Sequence, residues 1–518
     1  MPFLHKHETK NIVLLTLLVL SSILPFVNKP FNVDDPFYLM MAEQIKTDPY
    51  HPYSFSINWS GESRDVWEKV EATFPPLIPF FIAAAGGVFG ESEAVLHLLF
   101  LIFPVVAVIA FYFLAKKFTE HPFYAAAVFA AAPAFLVSST AIMLDIPLLA
   151  FMLSALTLFI YGSDSDNRVL LVLSGLLGGC AVMTKYVGLL IVPLMCLYIY
   201  KNGRIKHLKF AAIPLIIFGL WCYNNYVNYK GVHFVRSFLH VGKKFSTHKL
   251  IASLAFFSAS LGFPFFSVLF LDKKPKLYGL ALLSVLTILF ALLLGFGWLP
   301  LAMALCITAS LIFIYAAFRN GINSGAFIII WFLLSLAAIF SLEPWSAARY
   351  MLVILTPAVI IFASRIKRFS VMFYAVPALL IILSGALNIA DYVWASSYRD
   401  IPRRLMEAGY SKGYFAGHFG FQYYMEKAGF KALENDSVLE KGDYVVIAKT
   451  ADPQKPSENI LERLELKEVI KSESGFPLRV MNFGARAGFY SSFWGILPYS
   501  FSNSPVEEFA VYSVKNAE

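Results

Sequence analysis

The sequence has few charged residues and few cysteines for its length. Asp, Glu, Lys and Arg make up 15% of its 518 residues and hydrophobic residues 58%, whereas a soluble domain usually carries about 25% charged residues. One core cannot bury so much apolar surface, so lipid must be the solvent for much of it. The four cysteines lie in apolar stretches and include no C-x-x-C pair, which argues against a disulfide framework and a thiolate metal site.

A signal-peptide cleavage site is also missing from the N-terminal region. The first apolar run, 11–27, is followed by Asn28, Lys29 and Pro30 instead of small residues. A cleavable signal peptide normally ends in a small-residue site. We therefore predict an uncleaved first span with a cytosolic N-terminus.

The apolar runs predict an α-helical polytopic membrane protein with about 13 transmembrane helices, because a spanning helix needs about 17–25 apolar residues. The predicted spans are 11–27, 94–115, 123–140, 147–162, 169–184, 186–200, 209–228, 250–271, 277–296, 298–318, 322–342, 350–364 and 370–390. Segment 75–90 is short and rich in glycine, so we interpret it as re-entrant or interfacial. No internal repeat is evident.

The charges fit this threading of the chain. The links that it places inside, with the adjoining Lys209, carry sixteen Lys and Arg but five Asp and Glu, as the positive-inside rule requires. The net charge of +8 thus reflects topology, and we expect no nucleic-acid partner. We predict a multi-pass protein of a cytoplasmic membrane, with its C-terminus on the extracytoplasmic side.

Two large segments fall on the extracytoplasmic side. The first outer loop, 28–93, contains amphipathic stretches that predict interfacial helices. Residues 396–518 hold fifteen Lys and Arg and sixteen Asp and Glu. There the run YFAGHFGFQYYMEKAG predicts a helix, while DYVVIAKT, PLRVMNF and EEFAVYSV predict strands. The domains are therefore a transmembrane domain at 1–395 and a small α/β domain at 396–518.

Ionisable residues at the ends of spans are costly and each needs a reason. In this topology six of them meet at the outer face: Asp34, Asp35, Asp145, Lys185, His240 and Arg349. Paired carboxylates shift each other's pKa values, so an acid of the Asp34-Asp35 pair could act as a general base. Helix capping before Pro36 is the other interpretation. For Asp145 the alternatives are a functional acid and an exposed turn.

The cations at the outer face have structural alternatives as well. Lys185 could hold a lipid phosphate or could snorkel to the interface. Arg349, followed by Tyr350, could bind phosphate oxygens in a bidentate manner or anchor the span beside Trp345.

Segment 229–249 has five Lys and Arg, three His and no acid. Because it lies on the outer side, it departs from the usual charge bias. Either a phosphate headgroup or ordinary anionic lipid would account for it. Lys243 and Lys244 belong to this cluster. His233 or His240 could join carboxylates around a divalent cation or simply form hydrogen bonds.

Several motifs resemble, in chain order, those of GT-C-type glycosyltransferases of the protein O-mannosyltransferase class, and within that class the bacterial lipid A aminoarabinose transferases. DDPFY resembles their catalytic acidic motif, and MLDIPLLAF the second acidic motif. FPPLIPFFIAAAGGVFGESE resembles PPL…W…FG, with Phe74 before the prolines. GGCAVMTKYVGLLIVP resembles G…MTKG…P, with Tyr186 in the usual glycine position. ARYMLVILTPAVIIF resembles R-Y-x-L-x-x-x-P.

The resemblance implies roles for these residues. Asp34 would be the general base, and Asp145 would lie beside it and orient the acceptor or a metal. Asp35 is a further candidate. The phosphate of the donor would be bound by cations and a tyrosine: Lys185, Arg349, Tyr350, Lys243 and Lys244. A divalent metal is a candidate cofactor. His240 lies within one residue of the position of a metal-binding histidine in the aminoarabinose transferases. The acidic partner of that histidine has no clear match, and Glu68 and Glu71 are the nearest candidates.

The resulting prediction is an inverting glycosyltransferase with a polyprenyl-phosphate-linked sugar as donor. Its acceptor would be a lipid A-type glycolipid, a protein or another surface glycan, and membrane lipids would surround it. The alternatives are a transporter or flippase for a polyprenyl-linked lipid, which should show repeats and broken helices, and an O-antigen ligase-like enzyme, which relies more on Arg and His. The two acidic motifs argue against the ligase.

Overall fold

The structure is a computed structural model that describes residues 6–69, 74–241, 247–270, 285, 298–319, 325–343, 345–366, 371–410 and 413–515. Within these residues, apolar helices precede a small domain that mixes strands and helices. Helix α9 lies at the centre of the helical part, where it packs against α6 and α10. The helices up to residue 201 are α1 Lys6–Ile23, α2 Asp35–Thr47, α3 Val66–Lys69, α4 Leu77–Phe89, α5 Glu93–Phe100, α6 Ile102–Ala115, α7 Pro122–Ala131, α8 Pro133–Ser138, α9 Asp145–Ser165, α10 Arg168–Thr184 and α11 Ile191–Lys201.

The second half of the helical part contains further helices within the described residues. They are α12 Leu208–Ala211, α13 Ile213–Tyr229, α14 His233–Val241, α15 Thr247–Leu261, α16 Trp298–Arg319, α17 Ala326–Leu342, α18 Leu352–Ala363 and α19 Val371–Glu407. A hairpin of β1 Ser56–Asn58 and antiparallel β2 Ser63–Asp65 lies in segment 28–93.

The helices confirm a polytopic helical membrane protein. Six described helical segments are long and apolar enough to cross a membrane: His7–Phe26, Glu93–Ala115, Asp145–Ser165, Ile205–Tyr229, Trp298–Phe318 and Phe373–Glu407. Other apolar helices are shorter. One of them is α4, which has 13 residues in the segment predicted to be re-entrant or interfacial. The predicted span 277–296 lies outside the described residues apart from residue 285, so the number of spans stays a prediction.

Two predicted spans are interrupted in the structure. In the run 250–271, α15 ends at Leu261 and a 3-10 helix, Phe263–Phe270, follows Gly262, whose φ is +75°. The apolar run 123–140 forms two helices, α7 and α8, separated at Ala132, whose ψ is 133°. The cause is Pro133, because proline disfavours helical conformation in the residue before it. The expectation of one continuous helix was wrong here, since it rested on hydropathy alone.

Helix α19 joins the two parts of the molecule. It has 37 residues, which at 1.5 Å per residue makes it about 55 Å long. The hydrocarbon core of a bilayer is about 30 Å thick, so the helix extends well beyond it. The predicted boundary at residue 395 falls inside this continuous helix, whose later part packs on the C-terminal domain.

The C-terminal domain, described for residues 413–515, contains a five-stranded sheet with the order β4-β3-β5-β11-β6. Strand β3 pairs in parallel with β4 and β5, and β11 pairs antiparallel with β5 and β6. Its elements are β3 Tyr414–Ala416, α20 Phe419–Lys427, β4 Lys431–Ala432, β5 Tyr444–Ala448, α21 Glu458–Leu461, β6 Leu464–Ser472, β7 Leu478–Arg479, β8 Met481–Asn482, β9 Ala487–Gly488, β10 Ser500–Phe501 and β11 Glu507–Val514. The predicted strands in DYVVIAKT and EEFAVYSV are present, and the predicted helical run is a strand followed by α20.

The first residue of β11 makes the stability of the C-terminal domain depend on pH. Burial raises the pKa of the Glu507 carboxyl to about 7, against hydrogen bonds from Tyr398 and from backbone N–H groups. An acid whose folded-state pKa is raised holds its proton better when folded, so stability falls as pH rises from about 4.5 to 7. We expect the melting temperature to fall by a few degrees over this range.

The isosteric variant Glu507→Gln should remove most of this pH dependence and raise the melting temperature above pH 7. The measurement is thermal unfolding of the purified protein between pH 5 and 8. Glu462→Gln changes an exposed carboxyl of the same domain and should leave the curve of the wild type unchanged. An identical pH dependence in wild type and Glu507→Gln would contradict the assignment.

Candidate active site

The two acids of the DDPFY motif have different partners. Asp34 immediately precedes α2, and its side chain makes no capping hydrogen bond. Instead its Oδ2 accepts a hydrogen bond of 2.5 Å from Nη1 of Arg349. The capping interpretation therefore does not describe Asp34, and the side chain is left 28% exposed in spite of this ion pair.

Asp35 is directed into the protein. Its Oδ2 accepts from the backbone N–H of Asn32 at 3.1 Å, and its Oδ1 accepts from that of Ile142 at 3.0 Å. Burial raises the pKa of this carboxyl to about 7, although the nearby charge of Lys29 and the backbone hydrogen bonds lower it. Asp35 thus connects segment 28–93 to the residues before α9, and both its oxygens accept hydrogen bonds.

The second acid, Asp145, is the first residue of α9 and is buried. Its Oδ1 lies 3.1 Å from Nζ of Lys185. Lys185 adopts an extended backbone between α10 and the 3-10 turn Tyr186–Leu190. The close turn requires Gly188, because a Cβ there would lie 2.4 Å from the carbonyl oxygen of Ala181.

A third acid completes the environment of Lys185. Oε1 of Glu343, the residue after α17, lies 3.4 Å from Nζ of Lys185. The ammonium group also lies 4.5 Å from the centre of the Tyr350 ring, close enough for a cation–π contact. The Lys185 side chain is 19% exposed. The ammonium group is therefore held by two acids and a ring and is still partly accessible to solvent.

Arg349 stands beside the same tyrosine. Its guanidinium carbon lies 5.3 Å from the Tyr350 ring, and its Nη1 also contacts Sδ of Met143 at 3.4 Å. The Nε group is buried and has no hydrogen-bond partner within the described part of the chain. A buried unpaired donor is costly, so this N–H is free to bind an added acceptor atom.

Tyr38 in α2 is the neutral member of the cluster. It is buried, and burial together with the charge of Asp34 raises its pKa, while Arg349 lowers it and Asp145 raises it further. The hydroxyl therefore stays protonated at neutral pH. Tyr38 thus lies within electrostatic range of the two acids and the arginine.

The structure thus brings together Asp34, Asp145, Lys185, Arg349 and Tyr350, five of the residues singled out in the sequence. They come from segments that lie far apart in the chain, and the Asp34–Arg349 pair alone spans 315 positions. The sequence interpretation missed Glu343 and Tyr38. Glu343 follows an apolar span directly, so the rule that identified the other residues could have found it. Tyr38 stands in the DDPFY motif, but no sequence signal separated it from a core aromatic residue.

Other predicted residues cannot be placed at this site. Glu71, Lys243, Lys244 and the side chain of His240 lie outside the described residues. His233 is buried, stacks on Tyr53 with ring centres 4.4 Å apart, and bonds to the Tyr186 hydroxyl at 2.6 Å. Within the described residues there is no cluster of three or more His, Cys, Asp or Glu side chains able to hold a metal.

The comparisons with known proteins agree with the predicted resemblance. Residues 73–223 match the family model described as dolichyl-phosphate-mannose-protein mannosyltransferase. This range includes MLDIPLLAF and GGCAVMTKYVGLLIVP, the segments that carry Asp145 and Lys185. The resemblance to the protein O-mannosyltransferase class is confirmed for these residues. No curated protein matches the sequence.

Solved structures of similar proteins include ArnT from Cupriavidus metallidurans bound to undecaprenyl phosphate. It is 14% identical, the match covers 85% of this chain and 93% of that one, and the TM-score is 0.43. The Saccharomyces cerevisiae protein O-mannosyltransferase Pmt1-Pmt2 complex bound to the sugar donor is 16% identical over 50% of this chain and 37% of that one, with a TM-score of 0.33. The arabinofuranosyltransferase AftD from Mycobacteria is 12% identical over 98% and 40%, with a TM-score of 0.44.

Proposed function

We propose that this chain is an inverting GT-C-type glycosyltransferase that moves a sugar from a polyprenyl-phosphate carrier to an acceptor on the extracytoplasmic face of a bacterial inner membrane. One observation carries the proposal. A partly exposed acid, Asp34, is paired with a buried arginine, Arg349, next to a second acid–cation pair formed by Asp145 and Lys185. The family match over 73–223 supports the same class of enzyme.

The donor phosphate would bind between the two cations. Lys185 and Arg349 both contact the ring of Tyr350 from within 5.3 Å, and Arg349 has an unpaired Nε donor. As the sugar leaves, negative charge develops on the phosphate, and fixed cations stabilise that charge without reorganising. Charge-assisted hydrogen bonds from arginine and lysine to phosphate are among the strongest available.

Binding of the donor would also prepare the base. Three carboxylates, Asp34, Asp145 and Glu343, surround the two cations. A phosphate that takes hydrogen bonds from Arg349 competes with Asp34, which is the most exposed of these acids. The released carboxylate can then accept a proton.

The transfer is a single displacement at the anomeric carbon. Asp34 takes the proton of the acceptor hydroxyl or amine while the acceptor atom forms its bond to that carbon. The bond between the anomeric carbon and the phosphate oxygen breaks, and its electron pair stays on the carrier phosphate. Direct displacement inverts the configuration and needs no carboxylate nucleophile.

Asp145 and Glu343 act through Lys185 in this scheme. They hold the ammonium group between them and keep it charged beside Tyr350. No step is assigned to a metal, because the described acids bond to cations or backbone N–H groups and form no ligand cluster. The dependence on a divalent cation stays a prediction.

The test of the function is mass spectrometry of surface lipids and glycoproteins from cells with and without the gene. A single sugar that is missing from one class of surface molecule in the deletion strain, and restored by the wild-type gene, identifies both donor sugar and acceptor. An unchanged envelope together with loss of lipid transport across the membrane would instead favour the flippase.

Replacing Lys185 should weaken the binding of the carrier phosphate more than that of the acceptor. The loss of a charged hydrogen bond costs about 1.5–3 kcal/mol, so we expect Lys185→Ala to lower the affinity for undecaprenyl phosphate by about 10–100-fold. The apparent KM for the acceptor should change less than threefold. Binding is measured by titrating the detergent-purified protein with undecaprenyl phosphate.

Two further variants make this result specific. Lys185→Arg retains the charge between Asp145 and Glu343, so it should fold like the wild type and keep part of the affinity. Lys209→Ala removes an exposed lysine at the end of an apolar helix and should bind like the wild type. Equal loss of affinity in Lys185→Ala and Lys209→Ala would show that Lys185 only snorkels.

A further inference from the structure

The C-terminal domain contacts the two chain segments that carry the Asp34–Arg349 pair. We name residues 31–34 the acid segment and residues 346–349 the arginine segment. Each ends in one member of the pair, whose side chains are 2.5 Å apart. Both segments are hydrogen-bonded to the C-terminal domain.

The acid segment is held by helix α20. The backbone N–H of Phe31 donates to the hydroxyl of Tyr424 at 3.0 Å, and that hydroxyl donates to Oε1 of Glu93 at 2.9 Å. The N–H of Gly420 donates to Oδ1 of Asn32 at 3.3 Å. The backbones approach so closely that a Cβ on Gly420 would lie 2.3 Å from the carbonyl oxygen of Phe31.

The acid segment needs such support because its backbone is strained. Val33, directly before Asp34, has a φ of +52°. This conformation is unfavourable for a β-branched residue and persists only where the surroundings fix it. Asn32 also stabilises this conformation from inside the acid segment, because its Oδ1 accepts a hydrogen bond from the N–H of Val33 at 2.8 Å.

The arginine segment pairs with residues 489–492. The N–H of Ala348 donates to the carbonyl oxygen of Phe489 at 2.8 Å. The N–H of Ser492 donates to the carbonyl oxygen of Ser346 at 2.8 Å, and the N–H of Ser346 donates to Oγ of Ser492 at 3.2 Å. The backbone leading to Arg349 is therefore fixed on the same domain as the acid segment.

A buried ion pair adds a third connection. Lys29, two residues before the acid segment, pairs with Asp391 of α19, and both side chains are buried. The hydroxyl of Tyr490, which lies within the 489–492 strip, donates to Oδ2 of the same Asp391 at 2.8 Å. The Asp391 carboxylate thus connects Lys29, which precedes the acid segment, with residues 489–492, which bind the arginine segment.

We propose that the C-terminal domain is a positioning element of the active site, which fixes Asp34 through Gly420 and Tyr424 and Arg349 through Ser492. The expected effect on the transfer rate rests on the proposed function. The expected effect on the order of the two segments does not depend on it. Misplacement of reacting groups by about 1 Å can lower a rate about 100-fold.

The central experiment compares Gly420→Ala with the wild type. The added methyl group must displace the acid segment, so hydrogen–deuterium exchange should rise in peptides covering 28–38. The initial rate of product formation in membranes should fall ten- to hundredfold, with the product defined by the mass spectrometry above. The Kd for undecaprenyl phosphate should rise less than threefold, because Lys185 and Arg349 are held by other segments and Asp34 competes with the phosphate for Arg349.

Two further variants and two controls complete the comparison with Gly420→Ala. Tyr424→Phe removes one hydroxyl and should give the same exchange pattern with a smaller fall in rate, which covers the case that Gly420→Ala does not fold. Ser492→Ala should raise exchange in 345–352. The controls are Gly475→Ala, an exposed glycine with nothing within 4 Å of its Cβ, and Tyr423→Phe, whose hydroxyl makes no hydrogen bond within the described residues.

The outcomes separate the two proposals. Unchanged exchange in 28–38 and 345–352 for all three variants overturns the positioning role, whether or not the chain transfers sugar. Raised exchange with an unchanged rate overturns it as well. If the wild type forms no glycosylated product, the proposed function fails, and the exchange data still decide whether the domain holds the two segments.

Discussion

Asp34→Asn is expected to lower the transfer rate about 10²–10⁴-fold, the usual contribution of a general base. The amide has the size of the carboxylate and can still accept the hydrogen bond from Arg349, but it cannot take a proton. The variant should therefore fold normally. Its affinity for undecaprenyl phosphate should equal or exceed that of the wild type, since Arg349 is released from an ionic partner.

This combination distinguishes a base from a structural acid. The measurements are the initial rate of product formation in membranes, the Kd for undecaprenyl phosphate and the melting temperature of the purified protein. Asp48→Asn is the matched control, because Asp48 is a half-exposed acid of the same segment, 28–93, and its partner is His51. Transfer at the wild-type rate by Asp34→Asn would remove this residue as the base.

The neighbouring acid should behave differently. Asp35 accepts two backbone hydrogen bonds and is fully buried, so Asp35→Asn replaces an acceptor oxygen by an amide donor that faces a backbone N–H. The loss should appear first in the melting temperature. Comparing the two variants shows which carboxylate of the pair takes part in chemistry.

The sequence predicted the members of this cluster better than their arrangement. Asp34, Asp145, Lys185 and Arg349 stood out because ionisable residues at span ends are costly. Which acid would pair with which cation was not predictable. Arg349 and Asp34 are 315 positions apart, and only the packing of the helices decides that they meet.

The fold, too, was predictable in part from the sequence. Hydropathy identified the helical regions, because burial in lipid requires apolar runs. It did not reveal the break at Ala132, where proline chemistry overrides hydropathy. It also placed a boundary at 395, where composition turns polar, although the backbone of α19 continues as a helix to Glu407.

The contacts of the C-terminal domain with the acid and arginine segments could not be predicted from the sequence. The hydrogen bonds from Phe31 to Tyr424 and from Ala348 to Phe489 involve backbone groups, which leave no pattern in the side chains. In the sequence, Gly420 looks like any other glycine in a helix with many aromatic residues. Its importance appears only when the distance to Phe31 is known.

Arg349→Lys is expected to lower the affinity for undecaprenyl phosphate about tenfold, equivalent to about 1.4 kcal/mol, and the transfer rate about 100-fold. Lysine keeps the positive charge beside Asp34, so the ion pair and the fold should survive. What is lost is geometry, because a planar guanidinium donates in several fixed directions and an ammonium group is a point charge. In particular, no lysine atom replaces the unpaired Nε donor of Arg349.

The decisive comparison is between Arg349→Lys and the double variant with Asp34→Asn. If the phosphate must displace Asp34 from the cation, removing the acid's charge should restore part of the affinity that Arg349→Lys loses, while the rate stays low. Arg399→Lys is the control, since Arg399 is a half-exposed arginine 4.0 Å from Glu93. If the double variant binds undecaprenyl phosphate no more tightly than Arg349→Lys does, Asp34 and the phosphate do not compete for one cation.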